Sequence, residues 1–273
     1  MKNKVDEVVF RKSKVMGILN VTEDSFSDGS KHDSTECAVR HALEMVEKGA
    51  DIIDIGAEST RPGAKPIEPK TEIAKLVPVI KELRKVSNIT ISVDTYKSET
   101  ARRALEAGAD IINDIYALRY DGAMIDVLKD YPHAKIVLMH MKGTPADMQI
   151  NPQYKNVLVE VIDFLKERID YCVDNAVTED RIIVDPGIGF GKTFEHNVAI
   201  LRNIDKFSVF NVPVLLGASR KSFINSIYQS EPQERLIGSL ATTVAAGLKN
   251  VDIVRVHDVK EHKEMIESMA WVL

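Results

Sequence analysis

The chain has 273 residues, 44% of them hydrophobic and 28% charged, with a formal net charge of −5. That length suits one large α/β barrel or two ordinary domains, with apolar content for a substantial core. The acidic balance excludes a non-specific nucleic-acid binder, which needs a concentrated basic excess, but allows an anionic small molecule at a local positive site.

The first residues, MKNKVDEVVFRKSK, are charged and hold no apolar core of a secretory signal. No run approaches the length of a membrane span, so no membrane partner is expected. Cys37 and Cys172 lie far apart in stretches of helical character. They suggest neither a zinc site nor a disulfide, and a reducing, cytoplasmic setting is the expectation.

Eight short β-branched runs then follow one another. They are VMGILNV (15–21), DIIDIGA (51–57), ITISVDT (89–95), IINDI (111–115), KIVLMHM (135–141), RIIVDPG (181–187), PVLLGAS (213–219) and IVRVHD (253–258). Continuous apolar runs of this kind suit parallel strands buried on both faces. Amphipathic stretches such as ECAVRHALEMVEK and LVEVIDFLKERIDYCVDN lie between them. Strand and helix in eightfold alternation predict a single-domain (β/α)8 TIM barrel. The Pro- and Gly-bearing stretch 60–70 and the polar stretch 22–35 read as mobile βα loops.

An internal echo supports the count. EKGADIIDI (47–55) and EAGADIIND (106–114) are nearly one string, and LKNVDIVRVHD (248–258) is a looser copy. Each reads as a helix ending at a small residue, then Ala or Val, an aspartate and a strand entering the barrel floor, with glycine supplying the positive φ of the helix C-cap.

The strand ends are polar: Asn20, Asp54, Asp94, Asn113, His140, Asp185, Ser219, Arg255 and His257. In a barrel these ends converge on one mouth, where active sites are built. Some, Asp54 and Asp114 among them, read instead as caps of the following helices.

Asn20 with Asp24 and Asp28 forms a hard-oxygen setting suited to Mg2+ beside a phosphate, and Phe26 could close over an aromatic substrate. A hairpin-like turn is the alternative for that loop. Arg61 is a possible phosphate or carboxylate partner, or a solvated surface residue. Asp94, Asn113 and Asp185 could read the edge of a heterocycle such as an aminopyrimidinone. A general acid/base pair or a metal cluster are the other readings. GASRKSF (217–223) sets Ser219, Arg220, Lys221 and Ser222 where the seventh strand meets its helix. With Arg255 and His257 they suggest a phosphate or pyrophosphate pocket. DPGIGFGKT (185–193) approaches a phosphate-binding P-loop, but Pro186 stands where that loop needs glycine. Lys192 and Thr193 then read as the start of the next helix.

NVTEDSFSDG, GADIIDIGAESTRPG, VDTYK, GADIINDI, MHMKGTP, DPGIGFGKTFEHN, GASRKSF and IVRVHDV together resemble the dihydropteroate synthase family, in order and over nearly the whole chain. The resemblance implies a barrel that joins (7,8-dihydropterin-6-yl)methyl diphosphate to p-aminobenzoate, giving 7,8-dihydropteroate and pyrophosphate. It assigns Asp94, Asn113, Asp185 and Lys221 to the pterin, with Met139 and Phe190 lining that pocket. It assigns Asn20, Arg255 and His257 to pyrophosphate and Mg2+, with Asn20 as metal ligand and Asp28 as a loop partner of the metal-bound pyrophosphate. Thr60, Arg61, Pro62, Phe26 and Ser222 fall on the p-aminobenzoate side, and Gly217 and Ser219 join the substrate-binding set. The implied chemistry is loss of pyrophosphate and attack by the aniline nitrogen, with Asn20, Asp28, Lys221, Arg255 and His257 as the catalytic group. The family also implies a homodimer through barrel helices. Glu23 departs from the proline usual at its place, and no assigned residue is missing. The rivals are a pterin-dependent methyltransferase, a silent pterin binder and a Schiff-base aldolase using Lys221.

Overall fold

The computed structural model describes residues 10–21, 31–59, 63 and 66–273. Among them eight parallel strands form one sheet: β1 (Lys14–Asn20), β2 (Ile52–Gly56), β3 (Thr90–Asp94), β4 (Ile111–Asp114), β5 (Lys135–Met139), β6 (Ile182–Asp185), β7 (Leu215–Leu216) and β8 (Ile253–Val256). Neighbours run β6-β5-β4-β3-β2-β1-β8-β7, and a bridge between Val184 and Val214 closes the ring. The helices are α1 (Lys31–Glu47), α2 (Pro69–Val86), α3 (Ser98–Glu106), α4 (Met124–Asp130), α5 (Val157–Asp174), α6 (Phe194–Arg202), α7 (Ser222–Asn225), α8 (Leu236–Leu248) and α9 (Val259–Val272). The expected TIM barrel is therefore present. Its seventh strand is only two residues long, between Pro213 and Gly217, and the short α7 precedes the full-length α8.

Side chains alternate across each strand, so one set fills the barrel and the other meets the helices. The inner layer is Met16, Ile52, Ile111, Val137, Ile183, Leu215 and Ile253. Outward-facing Val15, Ile53, Ile91, Ile112, Ile136, Val184 and Val254 join the larger core beneath the helices. Each fully buried side chain of this size contributes about 1.5–3 kcal/mol relative to exposure, so the β-branched runs hold the barrel through both faces.

The echoed segments build the floor as expected. Gly49, Gly108 and Asn250 take φ of 95°, 109° and 59°. The next aspartates, Asp51, Asp110 and Asp252, accept the backbone N–H of Val15, Ile91 and Val214 at 2.8 Å each. Each aspartate thereby ties its own strand to the start of the neighbouring one.

Cys37 lies in α1 and Cys172 in α5, both as free thiols. Among the described residues no helix is long and apolar enough to cross a membrane.

Candidate active site

The inner layer sets the site by its period of two. Two residues beyond Ile52, Ile111, Val137, Ile183, Leu215 and Ile253 stand Asp54, Asn113, Met139, Asp185, Gly217 and Arg255. Register carries Asp94 beside Asn113 and Met139 beside Asp185. Side chains two apart share a strand face, so these residues all face the C-terminal mouth.

Arg255 is the hub. Its Nε donates to Asp54 Oδ2 at 2.6 Å and a terminal N–H reaches Asp94 Oδ2 at 2.9 Å. Asn113 Nδ2 donates to the same Asp54 oxygen at 3.2 Å. Asp54 is fully buried, and its other oxygen has no hydrogen-bond partner. It does not cap a helix, which corrects the sequence reading; Asp114 does hold a turn, accepting Tyr116 and Leu118 N–H at 2.8 Å each. Burial pushes the Asp94 carboxyl up to about 7, opposed by Arg255 and reinforced by Asp54.

Asp185 Oδ1 accepts the Gly187 N–H at 2.7 Å, and burial raises its pKa against that bond. A Cβ at Gly217 would sit 3.7 Å from Asp185 Oδ2, so glycine keeps that side of the carboxylate open. Lys221 Nζ donates to the Ile188 carbonyl at 2.7 Å and lies 4.1 Å from the Phe190 ring centre. Burial lowers Lys221 to about 8, with Asp185 opposing and Arg255 assisting. Met139 and Phe190 pack with Tyr96, Ile115, Met141 and Met148 into an apolar wall beside these polar groups.

On the other side of the mouth, His257 Nδ1 lies 3.1 Å from Ser219 Oγ, while the His257 backbone N–H donates to the same oxygen at 3.2 Å. Arg220 is not the open anion contact that GASRKSF suggested. It takes φ of 57° and forms a bidentate pair with Asp258, its Nε 3.0 Å from Oδ2. Asn20 is exposed at the end of β1, beside Gly56 in register, and Ser222 is exposed at the start of α7.

His140 does not join the mouth either. Met139 faces inward, so the next residue faces out, where the His140 ring packs edge-on against Phe164 at 4.9 Å. Its Nδ1 lies 2.9 Å from Nζ of Lys192, a side chain that burial holds well below its ordinary pKa. Phe26, Asp28, Thr60, Arg61 and Pro62 lie outside the described residues.

Two features escaped the sequence reading. Asp54 shares its place in the echo with Asn113, which was a usable signal. Glu58 and Lys97 form a buried ion pair, and Glu58 also accepts Tyr96 Oη at 2.6 Å and the Ile67 N–H at 2.9 Å. Nothing local in ESTRP or TYK announces that pairing.

The family description "Pterin binding enzyme" matches residues 16–257. A dihydropteroate synthase of Clostridium beijerinckii is 44% identical over 249 residues, covering 91% of this chain and 90% of that protein. A solved Xanthomonas albilineans dihydropteroate synthase with 4-aminobenzoic acid superposes with a TM-score of 0.89 at 41% identity, covering 95% of this chain and 93% of the other. A structure of that organism's enzyme with 7,8-dihydropteroate gives 0.84 at 35% identity, covering 95% and 92%. With the match spanning all eight strands and the polar mouth they carry, the chain belongs to the pterin-binding enzymes and, within them, to the dihydropteroate synthases.

Proposed function

We propose that this mouth joins (7,8-dihydropterin-6-yl)methyl diphosphate to p-aminobenzoate, giving 7,8-dihydropteroate and pyrophosphate. The observation that carries the reading is the convergence of Asp94, Asn113, Asp185 and Lys221 beside the Met139–Phe190 wall. A carboxylate accepts paired N–H donors, and an amide both donates and accepts, so together they match the edge of an aminopyrimidinone. Asn113 is held by its bond to Asp54, which leaves its amide oxygen and one N–H for the ring. Met139 and Phe190 supply an apolar surface for the bicyclic plane.

Arg255 uses two of its five N–H donors on Asp54 and Asp94, leaving three for the diphosphate. His257, whose ring lies against Ser219, adds a further polar group on the same side. Preorganised donors of this kind stabilise charge developing on the departing pyrophosphate without reorganising. The aniline nitrogen of p-aminobenzoate then attacks the methylene carbon and gives up a proton, and no protein nucleophile is needed. Lys221 suits an anion and carbonyl partner better than a Schiff base, because Ile188 and the Phe190 face already seat its nitrogen. Thr60, Arg61, Pro62, Phe26 and Ser222 form the p-aminobenzoate side of this reading.

The donor set at the rim fits Mg2+. Asn20 offers a hard amide oxygen, and Mg2+ keeps several waters and binds through substrate phosphates with few protein ligands. In this reading Asn20, Asp28 and the diphosphate would hold the cation together. When bound, the ion would neutralise charge on the pyrophosphate.

A homodimer in the cytoplasm completes the proposal. Ile237 of α8 and Trp271 of α9 are 76% and 90% exposed, apolar surface of the kind a partner helix would cover. Sedimentation equilibrium tests the dimer. The reaction is tested by mixing the purified chain with the pterin diphosphate, Mg2+ and p-aminobenzoate and following dihydropteroate and pyrophosphate. A folded protein that binds the pterin and yields neither product would be a silent pterin binder instead.

A further inference from the structure

The near P-loop DPGIGFGKT has its lysine in an unexpected place. Lys192 is 2% exposed, and its amino group lies 2.8 Å from the Gly187 carbonyl oxygen, 3.0 Å from that of Phe190 and 2.9 Å from His140 Nδ1. A P-loop points backbone N–H groups at an anion. This loop points carbonyls at its own lysine, so its polarity is reversed and its centre is filled.

Glycine makes the curl possible. Gly187 and Gly191 take φ of 67° and 65°, and a Cβ there would lie 2.0 Å from the His140 carbonyl oxygen and 2.2 Å from that of Lys142. The loop thus rests directly on the segment that follows β5. From that seat it holds three parts of the mouth. Gly187 N–H fixes Asp185, the Ile188 carbonyl fixes Lys221, and Phe190 lies beneath the Lys221 ammonium. The far end is pinned to α6, where Asn197 accepts the Gly189 N–H at 2.8 Å and Thr193 accepts the His196 N–H at 3.3 Å.

We propose that Lys192 is a positioning residue for the pterin half of the reaction, seating the loop so that Asp185, Lys221 and Phe190 form one wall. It touches no substrate and acts through the backbone of 187–190. The proposal rests on the reading of the mouth as a pterin site.

Lys192→Met keeps the length and bulk of the side chain and removes its amino group. In steady-state assays varying both substrates, KM for the pterin diphosphate rises about tenfold or more, since sub-ångström misplacement of binding groups is costly. KM for p-aminobenzoate stays within about twofold, a split that general loosening of the barrel would not produce. His140→Phe removes one contact of the amino group while keeping a ring against Phe164, and shows the same selective rise at smaller size; it carries the test if Lys192→Met does not fold. A folded Lys192→Met with both KM values unchanged, or rising in parallel, overturns the proposal. If the wild type fails to turn over, the reaction reading falls, and calorimetry with the pterin diphosphate makes the same comparison. There, about tenfold weaker binding by the variant supports the positioning role, and equal binding refutes it.

Discussion

Asp54 and Arg255 lie 201 residues apart and form the central ion pair of the mouth, at 2.6 Å between Oδ2 and Nε. Because the same oxygen also holds Asn113, one buried carboxylate orients a pterin reader and the pyrophosphate arginine together. Asp54→Asn keeps the shape and removes the charge. It should cost about 1.5–3 kcal/mol of unfolding free energy, the worth of a hydrogen bond to a charged group. It should also lower kcat/KM by roughly tenfold to a hundredfold through misorientation. Urea unfolding and steady-state kinetics check both, and an unchanged kcat/KM would show that Arg255 finds its place without Asp54.

Asp94 gives stability and activity opposite responses to pH. Its carboxyl is raised from 3.8 to about 7, so the folded chain binds a proton that the unfolded chain has released. Its contribution to stability is complete below 3.8 and is lost as pH rises through about 7. Accepting paired N–H donors needs the carboxylate, so kcat/KM for the pterin substrate should fall about tenfold per unit below that value. Lys221, lowered to about 8, should give a second fall on the alkaline side as its ammonium is lost. A pH profile of kcat/KM tests this, and Asp94→Asn should erase the acid limb at much reduced activity. A wild-type rate that is flat between about pH 5.5 and 7 would be incompatible with this role.

Lys97 is the buried counter-charge of two carboxylates, 2.5 Å from Glu58 and 3.2 Å from Glu72. Glu58 in turn joins both ends of the β2–α2 loop, through its own backbone and the Ile67 N–H. The span it closes contains Thr60, Arg61 and Pro62. Lys97→Met leaves two buried acids unpaired and should cost about 3–5 kcal/mol in chemical unfolding. Glu58→Gln is milder and should raise KM for p-aminobenzoate severalfold while leaving KM for the pterin diphosphate nearly unchanged. Equal changes in both would assign Glu58 to the barrel as a whole.

The echo shows how far the sequence could be read. Aligned copies put Asp54, Asn113 and Arg255 at one equivalent position, and the structure brings Asn113 and Arg255 onto the same Asp54 oxygen. Strand count and the barrel were legible because parallel strands buried on both faces read as continuous apolar runs, and the echo marks where three of them enter the floor. The partner of each polar group was not, because it depends on which strands become neighbours on closure. Hence Asp54 read as a cap, His140 as a mouth residue and Arg220 as an open anion contact. Lys192 was hidden for another reason: three positive-φ glycines fold the GKT segment back on itself, a shape no periodicity encodes.

The floor supplies the contrast to the mouth. Asp51, Asp110 and Asp252 each bond the first N–H groups of a neighbouring strand at the end of the barrel opposite the proposed reaction. Asp110 is further tied by Arg84 at 2.7 Å and Asp252 by Arg11 at 2.6 Å, both at the partly exposed surface. Those surface ion pairs are worth little, while a carboxylate accepting a backbone N–H is worth about 1.5–3 kcal/mol. Asp110→Ala and Asp252→Ala should each lower the unfolding free energy measured in urea by that amount, and their effects should add, since the two contacts share no partner. Both KM values and kcat should stay within about twofold of wild type at a temperature where the variants are folded. A selective rise in KM for either substrate would mean that strand register at the floor is transmitted to the mouth, and that the two ends of the barrel are not independent.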